Sequence, residues 1–443
     1  MPIQRDHHLP LAPDWECKAN VDHNGIIQLA DPAIAALSTG DVRPNTWMLE
    51  IRYRATSRWK LPAVTIIDRS NSQPTELFTQ YFEPNETGKR LINLTGIESL
   101  DQLQLTLKHL TLERDATLLG FRNPDLASGP ILIIAPHPDD AELAAFGVYS
   151  QHPKNTWIIT ITAGERLKRL DKQYWPGLDD SLEEASQRKG FIRAWNSATT
   201  PLLAGVPAEQ LIMLGYFNDT LAALHEKPDT VVPSHSAPTL TPDAYRQWNN
   251  LSLPTDGQAQ NTGENLQRDL ASLLNNIKPT TIITPHPDID PHPDHIASTR
   301  HLQSAIAHCG HSPKHLLLYA NHLKSTRGFP RGPAHAGAGV WPAQASTPSS
   351  NDDKITSFPL SIETQKQKAL ALHSMHDLGG KPGLERQLKR KAKQLFSGAP
   401  KIKWKTYSGH DFFQTHVKSH EVFIALKFKP TRCNDPLVSA LDS

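Results

Sequence analysis

The sequence predicts an α/β catalytic domain with a mainly parallel sheet, preceded by a smaller β-rich domain. Two short, mostly β-branched runs, Ile131–Ile134 and Thr281–Thr284, lack the polar alternation of a half-exposed strand. Such runs are typical of strands buried on both faces. Each run leads into a cluster of His, Pro and Asp and then into helical spacing of apolar residues. Loops of this kind emerge at one edge of a parallel sheet, where ligands bind.

The β-rich domain is assigned to residues 1–125 and is expected to be sandwich-like. Short strand patterns recur between residues 20 and 120, separated by turn-forming groups such as residues 84–88, as in a sandwich or barrel. A stretch containing Pro, Gly and Ser at 123–130 marks the boundary. Four aromatic residues are candidates for binding carbohydrate in a glycan-binding module, with packing in the core as the alternative: Trp47, Tyr53, Trp59 and Tyr81.

The catalytic domain is assigned to residues 126–443, where strand and helix patterns alternate. Its further strand patterns lie at residues 157–162, 211–214, 316–319 and 421–426. Residues 227–262 are interpreted as a surface excursion, and residues 326–353 as a mobile segment or lid. A basic helix at about residues 384–395 is expected to be a solvated face, with an acidic lipid or glycan partner as the alternative.

Composition excludes several classes of protein. The 443 residues are 38% hydrophobic and 21% charged, which indicates a globular chain. The net charge of +1 argues against nucleic-acid binding. No apolar run is long enough to cross a bilayer, so we expect no transmembrane segment, while peripheral membrane association stays open. Three scattered cysteines predict free thiols and a cytoplasmic enzyme. The sequence does not predict the oligomeric state.

The two loops carry the residue types of a metal-dependent hydrolase. Zinc in hydrolytic sites often takes two imidazoles and one carboxylate, which His137, Asp140 and His295 can supply. Neighbouring residues of an extended loop point apart, so one of Asp139 and Asp140 binds metal and the other is a general base. His292 and His295 share one side of a helical turn. One can therefore be a ligand and the other a proton donor or oxyanion partner.

The same residues could also have purely structural roles. An isolated His-Pro-Asp is most often a helix-capping turn, but two such loops, each after a buried strand, favour a metal site. His286, Asp288 and Asp290 of the second loop either orient the ligands or are ordinary loop residues.

The segment Pro136-His-Pro-Asp-Asp-Ala-Glu-Leu143, together with His292-Pro-Asp-His295, resembles the LmbE/PIG-L family of metal-dependent de-N-acetylases. The resemblance covers residues 131–325 well and the C-terminal part loosely. It implies a Rossmann-like α/β fold and the removal of acetyl groups from N-acetylglucosamine-type sugars. It also implies a role for each matching residue: metal ligands His137, Asp140 and His295, general base Asp139, His292 assisting at the tetrahedral intermediate, and Asp294 as its supporting carboxylate.

The resemblance says less about the substrate. Weaker matches are residues 162–165, 214–219 and 366–373, and they place a sugar-hydroxyl partner at Asp219. The substrate-binding arginine is assigned to Arg188, with Arg166 as the alternative. Ala141 separates the Asp pair from Glu142, as in only some members of the family. The β-rich domain and residues 227–262 lie outside the family core.

The leading hypothesis is therefore a zinc-dependent hydrolase, with Fe²⁺ as the alternative metal, acting on an N-acetylated amino sugar in a glycan, glycolipid or sugar conjugate. An amidase acting on a non-acetyl amide of a sugar conjugate would use the same site. A non-haem iron oxygenase shares the two-His, one-carboxylate set, but it needs no adjacent base. A glycan-binding protein without activity is the non-enzymatic alternative.

Overall fold

The fold was obtained as a computed structural model, which describes residues 2–7, 10–30, 44–324, 328–342, 353–378 and 411–427, with four isolated positions at 388, 392, 395 and 396. The chain divides into two compact units. The β unit comprises residues 1–124, 323–369 and 380–425, and the α/β unit comprises residues 125–322, 370–379 and 426–443. The predicted domains, 1–125 and 126–443, stay a prediction; the observed β unit also includes two later stretches of the chain.

The β unit contains two sheets formed by its N-terminal residues. The described part of these residues forms ten strands: β1 Ile3–Gln4, β2 Trp15–Val21, β3 Ile27–Leu29, β4 Thr46–Ala55, β5 Ala63–Asp68, β6 Thr75–Tyr81, β7 Glu86–Asn93, β8 Leu103–Lys108, β9 Leu110–Leu112 and β10 Asp115–Phe121. One sheet has the order β1-β7-β4-β10-β2-β3, with β9 also on β4, and the other has the order β6-β5-β8. Side chains of both sheets, among them Leu49, Val64 and Leu105, share one hydrophobic core. The predicted β-rich character is confirmed, and the sandwich arrangement stays a prediction.

The four aromatic candidates of the β unit differ in exposure. Trp47 and Tyr53 are buried in the core, whereas Trp59 is 75% exposed. Tyr81 is half-buried and lines a cavity together with Phe329 and Trp341. Packing therefore accounts for Trp47 and Tyr53, and only the other two aromatic rings are accessible to a ligand.

The α/β unit is built on the predicted strand and helix alternation. Its strands are β11 Ile131–Ala135, β12 Thr156–Thr162, β13 Leu211–Tyr216, β14 Thr281–Pro285 and β15 His315–Tyr319. Its helices are α1 Asp140–Gln151, α2 Leu182–Thr199, α3 Leu221–Glu226, α4 Gly263–Ile277 and α5 Pro293–His308. Short 3₁₀ turns lie at Pro153–Asn155, Leu170–Lys172, Thr200–Ala204, Ala208–Gln210 and Pro242–Tyr245. The predicted α/β class with parallel strands is confirmed.

The order of the parallel strands places the two predicted loops side by side. The strands run β13-β12-β11-β14-β15, and β11 pairs in parallel with both β12 and β14. The chain builds β12 and β13 on one side of β11 before it crosses to β14 on the other side. The carboxyl ends of β11 and β14 thus form a switch point, the position at which open α/β sheets bind ligands.

The remaining described elements lie in the C-terminal part of the chain. Strands β16 Lys354–Pro359 and β17 His420–Lys427 pair antiparallel, and helices α6 Ile362–Ser374 and α7 Asp411–His416 also belong to this part of the chain. The predicted final strand at 421–426 is therefore present. Residues 326–327 and 343–352 of the predicted loop 326–353 lie outside the described residues, as does the predicted basic helix at 384–395 apart from positions 388, 392 and 395. Within the described residues, no helix is both long and apolar enough to cross a membrane.

The segment 227–262 was predicted to be a surface excursion, but buried residues anchor it. Tyr245 and Arg246 are buried. The Arg246 guanidinium pairs with Asp269 of α4 at 2.9 Å and with Asp256 at 2.9 Å. A buried cation needs such partners. These ion pairs therefore hold the segment against the helices of the α/β unit. The Pro-, Ser- and Asn-rich composition of the segment did not predict this polar network.

Candidate metal and catalytic site

Three side chains converge at the carboxyl edge of the sheet. His137 and Asp140 follow β11, and His295 lies in the first turn of α5, after β14. Their ligand atoms all lie within 4.8 Å of one another, and all three residues are buried. Asp140 Oδ2 is 3.2 Å from His137 Nδ1 and 3.1 Å from His295 Nε2. This grouping was expected from the sequence.

Two further carboxylates fix the orientation of the two imidazoles. Asp294 Oδ2 lies 3.1 Å from His137 Nε2, and Asp290 Oδ2 lies 3.1 Å from His295 Nδ1. Both nitrogens of each ring thus face carboxylates, which only accept hydrogen bonds. When a metal binds beside Asp140, the hydrogen of each neutral ring is on the nitrogen that faces Asp294 or Asp290. The other nitrogen of each ring then turns a lone pair towards Asp140. Histidines that bind metals almost always have a partner of this kind.

The donor set therefore fits a divalent cation. Two imidazole lone pairs and Asp140 Oδ2 face one another and would repel unless positive charge lies between them. Burial opposes protonation of His137, but hydrogen bonds to Asp140 and Asp294 outweigh it and raise its pKa to about 9. For His295, burial is outweighed by the charges of Asp140 and Asp290, so its pKa is also raised. Protons supply the positive charge in the metal-free protein, and a metal would replace them.

Asp290 and Asp294, the carboxylates of the other possible metal groupings in this unit, already accept several hydrogen bonds. Asp290 accepts the N–H of Asn321 at 2.8 Å and the N–H of His292 at 3.1 Å, in addition to His295. Asp294 accepts the N–H groups of Asp219 at 2.6 Å and Leu221 at 3.3 Å. These carboxylates have little capacity left for a metal, which favours the His137–Asp140–His295 set.

Among the described residues of the β unit, one such grouping is formed by His7, Glu83 and Glu86. Arg90 pairs with Glu83 at 2.9 Å and with Glu86 at 2.8 Å, and Arg5 pairs with Glu86 at 2.9 Å. Guanidinium groups thus take the place that a metal ion would need.

Asp139 occupies the start of α1 without capping it. Its φ is +117°, a left-handed value that is uncommon for a residue other than glycine, and its side chain makes no capping hydrogen bond. Burial raises the pKa of its carboxyl group, and Arg193 opposes the shift. The capping interpretation of His-Pro-Asp therefore does not describe this side chain. Strained residues held in this way cluster at functional sites.

Arg193 of α2 is the residue next to Asp139 that sequence reasoning missed. Its Nη2 donates to the Pro138 carbonyl at 2.7 Å and lies 3.6 Å from Asp139 Oδ1. Asp377 pairs with the same guanidinium and accepts a hydrogen bond from the Tyr174 hydroxyl. The basic residues of α2 are the signal that could have indicated this role. Arg193 differs from Arg188 in being buried.

His292 lies at the N-cap of α5. Its Nδ1 accepts the backbone N–H of Asp294 at 3.2 Å, so its hydrogen is on Nε2 when the ring is neutral. Burial, together with His137 and His295, lowers its pKa, which favours that neutral form. The ring lies 5.0 Å from His137 and 5.1 Å from His295, measured between centroids. His292 can therefore donate a hydrogen bond from Nε2 beside the cluster.

The Asp294 carboxylate links several parts of the site. Besides His137 it holds the turn at Asp219, whose φ is +62°, through the two backbone hydrogen bonds described above. The Asp294 carboxylate contacts His137 and this turn, whereas only the Asp294 backbone N–H contacts His292. The support of His292 by this carboxylate stays a prediction.

The two arginine candidates have different surroundings. Arg166 forms an ion pair with Asp219, and both side chains are about one-third exposed. Arg188 is bound to Asp179 by bonds of 2.9 and 2.7 Å. The structure thus brings Arg166 to Asp219, and it holds the guanidinium of Arg188 at Asp179.

Two more residues reach the cluster from the loop after β15. Asn321 donates through its side chain to Asp140 Oδ1 at 2.8 Å. His322 Nε2 lies 3.2 Å from His295 Nε2. The signal that could have found them is their position, just beyond the strand pattern 316–319, because that strand ends at the same edge of the sheet.

Comparison with known proteins gives a family for part of the chain. The family model for PIG-L, GlcNAc-PI de-N-acetylase, matches residues 132–306. No curated protein matches the chain. Similar solved structures include a deacetylase–bog complex of the teicoplanin biosynthesis pathway (16% identity, TM-score 0.36, 68% of this chain and 100% of that chain). A deacetylase–teicoplanin complex gives 14% identity and TM-score 0.34 over 68% of this chain and 100% of that chain.

A third solved structure is GalB, the 4-carboxy-2-hydroxymuconate hydratase from Pseudomonas putida, with 13% identity and TM-score 0.32 over 69% of this chain and 98% of that chain. The family match covers both loops of the site, from His137 to His295. Residues 132–306 of this chain are a PIG-L (LmbE-like) domain.

Proposed function

We propose that the protein is a zinc-dependent hydrolase that removes the N-acetyl group from an amino sugar in a glycan, glycolipid or sugar conjugate. The observation that supports this most strongly is the buried convergence of His137, Asp140 and His295 beside the uncapped carboxylate of Asp139. The convergence lies within the PIG-L match.

His137 Nδ1, Asp140 Oδ2 and His295 Nε2 are the atoms that would hold the zinc ion. Zinc, when bound there, activates a water molecule and polarises the acetyl carbonyl group. Fe²⁺ suits imidazole and carboxylate ligands as well, so metal analysis must accompany every activity measurement.

Asp139 supplies the base. Its carboxylate accepts a proton from the water whose oxygen attacks the acetyl carbon, and it passes that proton to the sugar nitrogen. The carbon–nitrogen bond then breaks, so that acetate and a free amine leave. Burial makes this carboxylate a stronger base, and the ion pair with Arg193 holds it in place.

His292 supplies the hydrogen bond to the developing oxyanion. Its Nε2–H is free of the Asp294 backbone bond, which occupies Nδ1. A donor fixed in this way stabilises negative charge in the transition state, and removing such a donor typically costs about 10²–10³-fold in rate. Asp294 helps indirectly, because it orients His137 and His292.

Substrate recognition is assigned to Asp219 and Arg166. Both flank the site and are partly exposed, so they can exchange their mutual ion pair for hydrogen bonds to sugar hydroxyl groups. We prefer Arg166 to Arg188 because Asp179 already binds the Arg188 guanidinium.

The β unit is proposed to contribute to glycan binding through its accessible aromatic rings. Trp59 is largely exposed, and Tyr81 lines a cavity with polar neighbours that include Glu50 and Lys89. Aromatic rings combined with hydrogen-bonding groups suit sugar rings. The cytoplasmic location proposed for the enzyme is supported by the free thiols of Cys17 and Cys309.

The test is acetate release from defined substrates by the zinc-loaded full-length protein. The panel contains N-acetylglucosamine, its oligomers, its lipid and inositol conjugates, and matched N-butyryl analogues. We expect equimolar acetate and free amine from at least one N-acetyl sugar, loss on chelation and recovery with zinc. Activity confined to non-acetyl amides would replace the deacetylase by an amidase. Full activity of Asp140→Ala would overturn the proposed site.

A further inference from the structure

A carboxylate from beyond the PIG-L domain reaches the arginine that holds the proposed base. Asp377 follows α6 and lies outside residues 132–306. It pairs with the guanidinium of Arg193 and accepts a hydrogen bond from the hydroxyl of Tyr174. The other side of the same guanidinium faces Asp139. One buried cation thus lies between two carboxylates, and the proposed chemistry uses only one of them.

The stretch of chain that carries Asp377 is fastened to the helix that carries Arg193. The side-chain oxygen of Asn196, in α2, accepts the backbone N–H of His376 at 3.1 Å, and its amide donates to the Ser374 carbonyl at 3.3 Å. Arg193 and Asn196 are at positions i and i+3 of α2 and therefore neighbours on its surface. The same helix thus positions both partners of the Asp377–Arg193 ion pair.

The guanidinium of Arg193 divides its donors between two sides. Its Nη1 faces Asp377, whereas Nη2 donates to the Pro138 carbonyl at 2.7 Å and lies 3.6 Å from Asp139 Oδ1. A separation of 3.6 Å is too long for a hydrogen bond, so this Asp139 oxygen keeps its capacity to accept a proton from water. Without Asp377, the guanidinium could turn and bind both oxygens of Asp139, in the bidentate geometry that arginine forms with carboxylates.

Neutralisation of a buried cation is the competing explanation. A buried guanidinium is costly without a carboxylate partner, so Asp377 could serve stability alone. Arg246 is an example of such a structural arrangement, because its buried guanidinium binds Asp256 and Asp269. The two explanations differ in one respect: only a positioning role makes the effect of Asp377 depend on Asp139.

We propose that Asp377 is a positioning residue for the deacetylation. By occupying Nη1 of Arg193, it keeps the guanidinium from closing on Asp139, whose carboxylate therefore stays available to the attacking water. This inference rests on the proposed function. The proposed general base then depends on a side chain outside the PIG-L domain, in the C-terminal part of the chain.

The experiment is a double-mutant cycle on the zinc-loaded full-length protein. Asp377→Ala, Asp139→Asn and the double variant are compared with the wild type by kcat and KM for acetate release, with the N-acetyl sugar of the panel above that the wild type turns over fastest. Crystal structures of the wild type and Asp377→Ala give the distances between Arg193 and Asp139 without any substrate. Asp256→Ala is the matched control, because Asp256 likewise binds a buried guanidinium, that of Arg246.

We expect the kcat of Asp377→Ala to fall at least about tenfold with little change in KM, because a positioned base contributes about 10²–10⁴-fold. In Asp139→Asn, which has no base to position, removal of Asp377 should cost no further activity. The crystal structure of Asp377→Ala should show two hydrogen bonds from Arg193 to Asp139. The kcat of Asp256→Ala should match that of the wild type.

The role of Asp377 would be overturned by wild-type kcat in Asp377→Ala, or by an equal fold loss in the Asp139→Asn background or in Asp256→Ala. An unchanged separation of Arg193 and Asp139 would contradict it as well. Wild type that releases no acetate from any N-acetyl sugar would instead overturn the proposed function, and the two crystal structures would still decide the position of Arg193. If Asp377→Ala does not fold, judged by circular dichroism, Asp377→Ser takes its place with the same expectations.

Discussion

Asp139 is the residue at which local strain and proposed chemistry coincide. A left-handed backbone at a non-glycine residue costs free energy, and the Asp139 side chain does not offset it by capping α1. This conformation places the Asp139 carboxylate beside the cluster and within reach of Arg193. Its neighbour Asp140 turns the other way and faces His137 and His295.

Replacing Asp139 by Asn separates base catalysis from structure. Asn has nearly the same size and tolerates left-handed conformations, but its amide cannot accept the proton. We expect turnover to fall by about 10²–10⁴-fold, while zinc content and the unfolding midpoint stay as in the wild type. Acetate release, zinc analysis and thermal unfolding provide the three measurements. Loss of the metal from Asp139→Asn would show that the roles of the two aspartates are exchanged.

Asp290 allows the orienting role to be tested without removing a ligand. Asp290→Asn weakens the hydrogen bond to His295 Nδ1 and removes the negative charge that strengthens this hydrogen bond. We therefore expect zinc affinity to fall by about 10–100-fold. Asp288→Asn is the control, because Asp288 is an exposed carboxylate in the same loop. Chelator competition on both variants gives the comparison. Equal affinity in the two variants would mean that Asp290 is an ordinary loop residue.

Among the elements, the buried parallel strands were predictable and several strands of the β unit were not. The predicted runs 131–134 and 281–284 agree with β11 and β14 to within one residue, because strands buried on both faces need continuous apolar residues. Strand β2 escaped prediction. It alternates Glu16 and Lys18 with the small buried residues Cys17 and Ala19, and small residues carry a weak hydrophobic signal.

Helix α2 depends on a close approach that sequence patterns did not reveal. A Cβ atom on Gly190 would lie 2.4 Å from Cε1 of Tyr245, a residue of segment 227–262. Tyr245 is fully buried, so neither side can move away easily. Gly190 therefore lets this segment pack against the helix that carries Arg193.

Gly190→Ala should destabilise the protein by overpacking. We expect the free energy of unfolding to fall by about 1–3 kcal/mol, measured by denaturant titration. Gly310→Ala is the control, because the nearest atom to its Cβ would be Asn275 Oδ1 at an ordinary 3.6 Å, and a change within about 0.5 kcal/mol is expected there. Unchanged stability of Gly190→Ala would show that segment 227–262 is not packed on α2 as described.

At the scale of the whole molecule, prediction succeeded where the chemistry is local to a motif. His137, Asp139 and Asp140 are adjacent in sequence, and a parallel sheet necessarily brings the second loop to the same edge. Arg193 and Asp377 meet although they are far apart in the chain, and His322 joins the cluster through the position of β15. Such contacts arise from packing between elements, which periodicity does not encode.

The same reasoning applies to the β unit, whose later stretches were assigned to the catalytic domain. Asn93 donates to Ser357 Oγ at 2.9 Å and to the Ala338 carbonyl at 2.8 Å. Thr46 Oγ1 accepts the Ser357 N–H at 2.8 Å, and His420 Nε2 lies 3.1 Å from the Thr95 carbonyl oxygen. These polar groups are buried, and each would lose its partner if the N-terminal residues were absent.

Deleting residues 1–124 should therefore not release a stable catalytic domain. An unsatisfied buried polar group typically costs about 1–3 kcal/mol, and several arise at once around Ser357, together with the apolar surface exposed when the two N-terminal sheets are removed. We expect the shortened chain to be insoluble or to unfold without a cooperative transition, measured as soluble yield and by circular dichroism. Supplying residues 1–124 as a separate polypeptide in the same cells should restore soluble, zinc-binding protein, because the lost partners return. A shortened chain that folds alone, binds zinc and releases acetate would instead support the division at residues 125 and 126, with the N-terminal part as an accessory module.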